Sequence, residues 1–219
     1  WYINQMKKQA YESDPLPISW QPEDYVQGTR DAAYVFPMTD KSIDLKTALD
    51  FVRSNDPKFK KIPGINQELD YIPAQTLTMG VDSAAVAAGV IDTANLPYLQ
   101  KEMKIDLKGK DVLGKQELII LDMLQTNDWN RPIYYAITVS PDQFVKLDPY
   151  FQQTGMAYQI VPMETQGTVR SINTEKMYDN VMNKFKWGGV NTPGVYLDEN
   201  VMRMCKSYRI ALFSKLAAA

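Results

Sequence analysis

The sequence predicts an α/β fold: a mixed, partly parallel sheet flanked by helices and ending in two C-terminal helices. Three observations carry this. Apolar residues recur at helical spacing in several segments, short apolar or alternating runs lie between them, and from residue 114 to 163 the two alternate as helix, strand, helix, strand. That last order suggests an α/β layer with some parallel pairing.

The elements follow in chain order. "WYINQMKKQAYESD" reads as a helix already under way, with Ile3, Met6 and Ala10 on one face, so the chain is expected to be a piece of a longer protein. A connector with Pro15, Pro17 and Pro22 should be extended or turned. A strand is expected at 32–36. "SIDLKTALDFVRSND" then sets Leu45, Ala48, Leu49 and Val52 on one helical face, with Ser42 as N-cap. A loop leads to strand-like residues at 75–81, and "DSAAVAAGVI" gives a short helix capped by Asp82 or Ser83. Met103, Ile105 and Leu107 alternate as in a strand. "DVLGKQELIILDMLQTND" is apolar nearly all round, which predicts a deeply packed helix. Residues 133–139 form the most continuous apolar run and should be a strand buried on both faces. "PDQFVKLDPYFQQTG" supplies a short helix and "MAYQIVPM" a strand. Met177, Tyr178, Val181, Met182 and Phe185 mark one side of the next helix. Val201, Met204, Cys205, Tyr208 and Leu212 mark the buried side of the last, which starts at Asp198.

Composition narrows the chemistry. The 219 residues contain no histidine, which removes Ser-His-Asp and Cys-His catalysis, His-ligated zinc and His-based proton transfer. The single Cys205 can form neither an internal disulfide nor a thiolate metal site. A formal charge of −2, without a basic run, gives no footprint for nucleic acid. No stretch approaches the roughly 20 apolar residues that span a bilayer. One soluble domain over residues 1–214 is expected, with 215–219 ("KLAAA") a vector-derived tail. No cofactor and no metal are expected.

Two loops combine aromatic and charged side chains. In "TNDWNRPIYY", Trp129 and Arg131 could hold a sugar or phosphate by stacking and charge-assisted hydrogen bonds. The same residues fit an architectural reading, in which the helix closes near Asn127, Trp129 plugs the core and Pro132 starts the strand. In "KFKWGG", Lys186 and Trp187 could form a cation–aromatic platform, or Gly188 or Gly189 could end a helix in a left-handed cap with Trp187 folded back. Asp148 before Pro149 reads as a helix cap. Asp198 and Glu199 read as first-turn complements to a helix dipole rather than an acid–base pair, because neighbours on a helix diverge by about 100°. No phosphate-binding glycine motif, metal spacing or nucleophile elbow is present.

Four stretches together, "WYINQMKKQAYESDPLPIS", "LDMLQTNDWNRPIYYAITV", "YFQQTGMAYQIVPM" and "NKFKWGGVNTPGVYLDENVMRM", resemble the extracytoplasmic part of a bacterial family of large multi-pass membrane proteins. That family is of unknown function, related to protein O-mannosyltransferases and classed with lipid-sugar-dependent glycosyltransferases. The resemblance spans nearly the whole chain. It implies a transmembrane bundle before this region, a periplasmic location at the inner membrane, and a catalytic acid on a loop of the membrane part. It therefore carries no catalytic residue onto this sequence. The expectation is a non-catalytic accessory domain that contacts the transmembrane portion of its own polypeptide and positions acceptor protein or glycan, with Trp129, Arg131, Lys186 and Trp187 as contact residues. The alternative is a purely structural docking module between that bundle and a downstream helical repeat, recognisable by an exposed apolar patch. A carboxylate hydrolase would need two acids facing each other across a pocket about 5–10 Å apart.

Overall fold

A computed structural model of the chain describes residues 14–186, 188–190 and 192–218. The helix expected over the first residues, with Ile3, Met6 and Ala10, lies outside them, as does Trp187. The fold is mixed α/β, with three three-stranded sheets and a long C-terminal helix.

The first two sheets are built by a chain that alternates between them. Strand β1 (Ala32–Thr39) belongs to one and β2 (Ile43–Asp44) to the other; helix α1 (Leu45–Arg53) returns the chain, and β3 (Tyr71–Ala74) and β4 (Thr76–Gly80) repeat the passage. β1 and β3 are parallel, and so are β2 and β4. β6 (Val112–Gly114) closes the first sheet antiparallel to β1, and β5 (Glu102–Asp106) closes the second antiparallel to β4. Gln75 alone separates β3 from β4, which is why a single strand-like run covers only half of what forms there.

Helix α1 buries Leu45, Ala48, Leu49 and Val52, the i, i+3, i+4, i+7 spacing that places four side chains on one stripe. Its N-cap is Asp44, whose carboxylate accepts from Thr47 N at 3.1 Å, rather than Ser42. Residues 43–44 are taken up by the pairing with β4, so the helix starts after them. At the other end the buried Arg30 donates to Val52 O (3.3 Å), Arg53 O and Asn55 Oδ1, closing the last carbonyls, and Asp24 lies 3.4 Å from its guanidinium.

Helix α2 (Lys115–Asn127) is packed all round, as its composition predicts: Leu118, Leu121 and Leu124 are buried, and so are Glu117 and Asp122. Both acids are engaged. Glu117 accepts from Gly114 N at 2.8 Å and pairs with Lys110. Asp122 accepts from Ser19 N (2.7 Å), Ser19 Oγ, Trp20 N (3.3 Å) and Thr126 Oγ1 (3.4 Å), which fastens the proline-rich connector to the helix. Trp20, fully buried beside it, completes that anchor.

The third sheet departs from expectation. Strands β7 (Tyr134–Ala136), β8 (Phe151–Gln153) and β9 (Ala157–Ile160) run in the order β7-β9-β8, and every pairing is antiparallel. Parallel pairing thus exists, but in the first half of the molecule rather than across residues 114–163. The physical reason is local: a three-residue hairpin joins β8 to β9, and the helix expected before β8 is two 3₁₀ turns, Pro141–Gln143 and Asp148–Tyr150. Asp148 makes no side-chain capping bond there. The run at 133–139 yields only three strand residues and is not buried on both faces: Tyr134 is 50% exposed whereas Tyr135 is buried. Tyr150 spans the gap to the second sheet. Its hydroxyl accepts from Lys104 N at 2.8 Å and donates to Lys104 O at 2.9 Å, on the outer strand β5.

Two helices end the chain. α3 (Thr174–Asp179) continues into a π turn, Asn180–Lys184. Of the side expected to be buried, Met177 and Val181 are, with Phe185 packed against them, while Tyr178 and Met182 are each 58% exposed. The turn widens the spacing, so the apolar stripe of a regular helix splits in two. α4 (Glu199–Ala218) starts from Asp198, whose carboxylate accepts from Asn200 N (2.7 Å) and Val201 N (3.0 Å). Leu212 shares a buried cluster with Met177 and Val181. Val201, Cys205 and Tyr208 are half-buried, and Met204 is exposed.

Candidate functional site

The third sheet has two unlike faces. On one, Tyr135, Phe144, Phe151 and Tyr158 form an aromatic cluster in which Phe151 and Tyr158 stack at 5.5 Å. Burial there pushes the Tyr135 hydroxyl well above its ordinary pKa, with the nearby Glu117 charge adding to the shift. On the other face Tyr134, Gln159 and Gln152 stand side by side in register.

Gln159 and Gln152 are buried in this row while Tyr134 is half-exposed at its open end, and each amide is held. Gln159 Nε2 donates to Val90 O at 2.7 Å, and Tyr134 Oη reaches Gln159 Oε1 at 3.5 Å. Gln152 donates to Arg170 O at 2.9 Å and accepts from Asn173 Nδ2 at 3.2 Å. Asn173 also donates to Asp92, and its oxygen accepts from Lys176 N at 3.0 Å, making it the N-cap of α3. Lys176 Nζ returns to Asp92 at 2.9 Å. The buried amides of the sheet thereby fix where α3 begins and which way it points.

Between the open end of that face and α3 lies a cleft of about 410 Å³, lined by Tyr134, Thr154, Met156, Ala157, Lys176, Asn180, Lys184 and Phe185. Tyr134 offers a half-exposed ring and hydroxyl on one wall. Phe185 closes the other, so near the β8–β9 hairpin that a Cβ on Gly155 would meet its Cζ at 3.0 Å; Gly155 also has φ +135°, a backbone that side chains resist. Asn180 Nδ2 donates to Thr154 O at 2.6 Å and pins the π turn to the hairpin. Lys184 pairs with Asp179 at 2.6 Å, and hydrogen bonds from Lys184 and then Asn183 hold the Asp179 carboxyl below its ordinary pKa. An aromatic wall, an amide and two ion-paired lysines at a rim suit a neutral, hydroxyl-rich or peptide-like ligand better than a lone anion, because each cation already has a carboxylate.

The residues singled out from the sequence do not converge on this cleft. Trp129 is 2% exposed, at φ +61° after the left-handed Asp128 that ends α2, and its indole Nε1 donates to Gly80 O at 2.9 Å. The architectural reading of that loop describes its geometry, with Asp128 rather than Asn127 as the left-handed stop. Asn127 instead donates to Arg131 O at 2.8 Å. The Arg131 guanidinium donates to Asp14 O (3.3 Å) and Pro15 O, tying the connector down. Lys186 is exposed just past Phe185, and the neighbouring Trp187 lies outside the described residues. Gly188 does take a left-handed φ of +62°, but the helix has already ended at Lys184. Tyr134 and Phe185 lie within the two loops singled out, but neither was picked as a contact residue, and Asn180 lies outside both. The available signal was the paired amide "QQTG", polar residues in a strand that had to be paid for by burial partners.

Two carboxylates at another cleft are engaged. Asp50 and Asp122 line one cleft of about 300 Å³, yet Asp50 pairs with Lys46 and Asp122 accepts the four donors named above. Among the described residues no group of three or more His, Cys, Asp or Glu could hold a metal ion, and no helix is long and apolar enough to cross a membrane.

A family model described as TMEM260-associated domain 2 matches residues 1–180. The chain belongs to that family. No curated protein and no solved structure matches it. The family match contains the sheet wall of the cleft and the start of α3, ending at Asn180. Lys184, Phe185, Lys186, Trp187 and α4 lie past its end, and so does "NKFKWGGVNTPGVYLDENVMRM".

Proposed function

We propose that this chain is a non-catalytic accessory domain of a membrane-embedded, glycosyltransferase-like protein, which positions acceptor protein or glycan on the periplasmic side of the inner membrane. The family membership supports this reading: its name links the domain to TMEM260, a proposed protein O-mannosyltransferase. The single observation that carries the binding part is the cleft between Tyr134 and Phe185, with Asn180 and Lys184 at its rim. Trp129 and Arg131 serve this reading as supports, and Lys186 and Trp187 extend the rim in sequence.

Titration with mannose-type oligosaccharides and acceptor peptides, followed by amide chemical shifts, tests it. Shifts should gather at Tyr134, Thr154, Asn180 and Phe185, and Tyr134→Ala should weaken binding about tenfold, a loss of roughly 1.4 kcal/mol. No shift with any member of the panel sinks the binding role.

A second reading, a docking module against the transmembrane portion of the same polypeptide, is favoured by one surface. Tyr34, Phe36 and Met38 project from the central strand of the first sheet with Val112 beside Tyr34, and all four are exposed. If that face is the dock, Phe36→Asp in the full-length protein should raise its sensitivity to limited proteolysis while the excised domain unfolds at an unchanged temperature.

A further inference from the structure

The last helix carries a surface that neither reading uses. Its buried Leu212 and half-buried Val201, Cys205 and Tyr208 fill a narrow sector of the helix. At about 100° per residue, Met202, Arg203, Lys206, Arg209, Ile210 and Phe213 all fall in one sector of about 120° on the opposite side. Every one of them is exposed, Met202 to 52% and Phe213 to 46%. From residue 200 onward the sequence contains no Asp or Glu, although the whole chain has a net charge of −2. Within this sector Arg203 donates to the neutral Asn200 Oδ1 at 2.6 Å. Three cations and one acid, the exposed Glu199 of the first turn, therefore share this sector with large apolar side chains and leave it with a net charge of +2.

We propose that this face of α4 docks onto an anionic lipid surface, lying in the interface plane with Met202 and Phe213 inserted among the headgroups and Arg203, Lys206 and Arg209 on the phosphates. The shape and the charge both favour lipid. A helix of 20 residues is about 30 Å long, which fits a flat, laterally adaptable surface, and its sector offers cations to phosphates and Met, Ile and Phe to the headgroup layer. Tyr196, 88% exposed just before the helix, stands at the end of the same rod as an aromatic suited to the headgroup level. This proposal does not depend on the cleft or on its ligand.

The test is co-sedimentation of the purified chain with vesicles of phosphatidylglycerol and phosphatidylcholine in a one-to-two ratio, against vesicles of phosphatidylcholine alone. Binding to the anionic vesicles is expected, and it should weaken steeply as salt shortens the Debye length toward about 3 Å at 1 M. Each cation near an anionic surface contributes about a fivefold factor, so R203Q/K206Q/R209Q should bind on the order of a hundredfold more weakly. The charge-preserving R203K/R209K should bind as the parent does, because a fluid headgroup layer reads charge rather than fork geometry. M202S/F213S should lose affinity while keeping its far-UV circular dichroism. The proposal is overturned by absence of binding to anionic vesicles, by equal binding to neutral ones, or by a triple variant that binds undiminished.

Discussion

Residues 32–127 and residues 133–185 are stabilised by different physics. In the first region Leu45, Val52, Ile72, Leu77, Leu113, Leu118 and Leu121 bury one another between two mixed sheets. In the second, a small sheet turns aromatic rings to that core and a row of buried amides to the other side, where Gln152, Gln159 and Asn173 hold loops and a helix by specific hydrogen bonds. Apolar packing tolerates neighbours of similar volume, whereas a buried amide tolerates only its own partners. The lesson is that the second region is specified bond by bond, and the cleft sits where that specification reaches the surface.

Trp129 tests the junction between the two and should give the largest effect. It is a fully packed indole at the end of α2 with a hydrogen bond to β4, so Trp129→Ala should cost about 3–5 kcal/mol in denaturant unfolding. If the cost is much smaller, the ring is not the joint described here. Next comes the amide layer itself. Gln159→Leu keeps the volume but leaves Val90 O without its donor, and about 1–3 kcal/mol should be lost. A comparable change in the first core, Leu121→Met, should cost less than about 1.5 kcal/mol; equal costs would erase the contrast between the regions.

Tyr135 sharpens the comparison from the other side. Its hydroxyl is buried with no hydrogen-bond partner among the described residues, so Tyr135→Phe should be neutral or stabilising by up to about 1 kcal/mol. The raised pKa also has a signed consequence. The folded state keeps the proton, so the stabilisation is fully present below the unfolded tyrosine pKa of about 10 and is lost as pH rises beyond it. Unfolding followed from pH 9 upward should show the parent losing stability faster than Tyr135→Phe; parallel curves would mean the hydroxyl is solvated. The smallest effect belongs to the surface. Lys46→Ala removes an exposed i,i+4 pair with Asp50 and should cost no more than about 0.5 kcal/mol.

Legibility followed the same divide. The spacing of Leu45, Ala48, Leu49 and Val52 and the alternation of Met103 and Ile105 gave their elements directly, because period is a local property of the chain. β3, β6 and β8 were not visible, since strands of three or four residues are too short to show a period. The parallel pairing was foreseen but assigned to the wrong strands, because register depends on which segments meet and not on the segments themselves. Arg30, Asp122 and Gln159 look like ordinary surface residues in sequence; only the fold reveals carbonyls and amides that require them. The cleft was hidden for that reason, as it joins a strand, a hairpin and a π turn that lie up to fifty residues apart.

The hydroxyl of Tyr150 has a consequence beyond joining two sheets. β5 is the outermost strand of its sheet, and an uncovered edge is a template on which another extended chain can grow. By occupying both the N–H and the C=O of Lys104, a single side chain removes the rung that a foreign strand would need to start on. The charged Glu102, Lys104 and Asp106 along the same strand discourage the approach as well. On this edge of the second sheet, strand addition is therefore blocked at Lys104 by one hydroxyl.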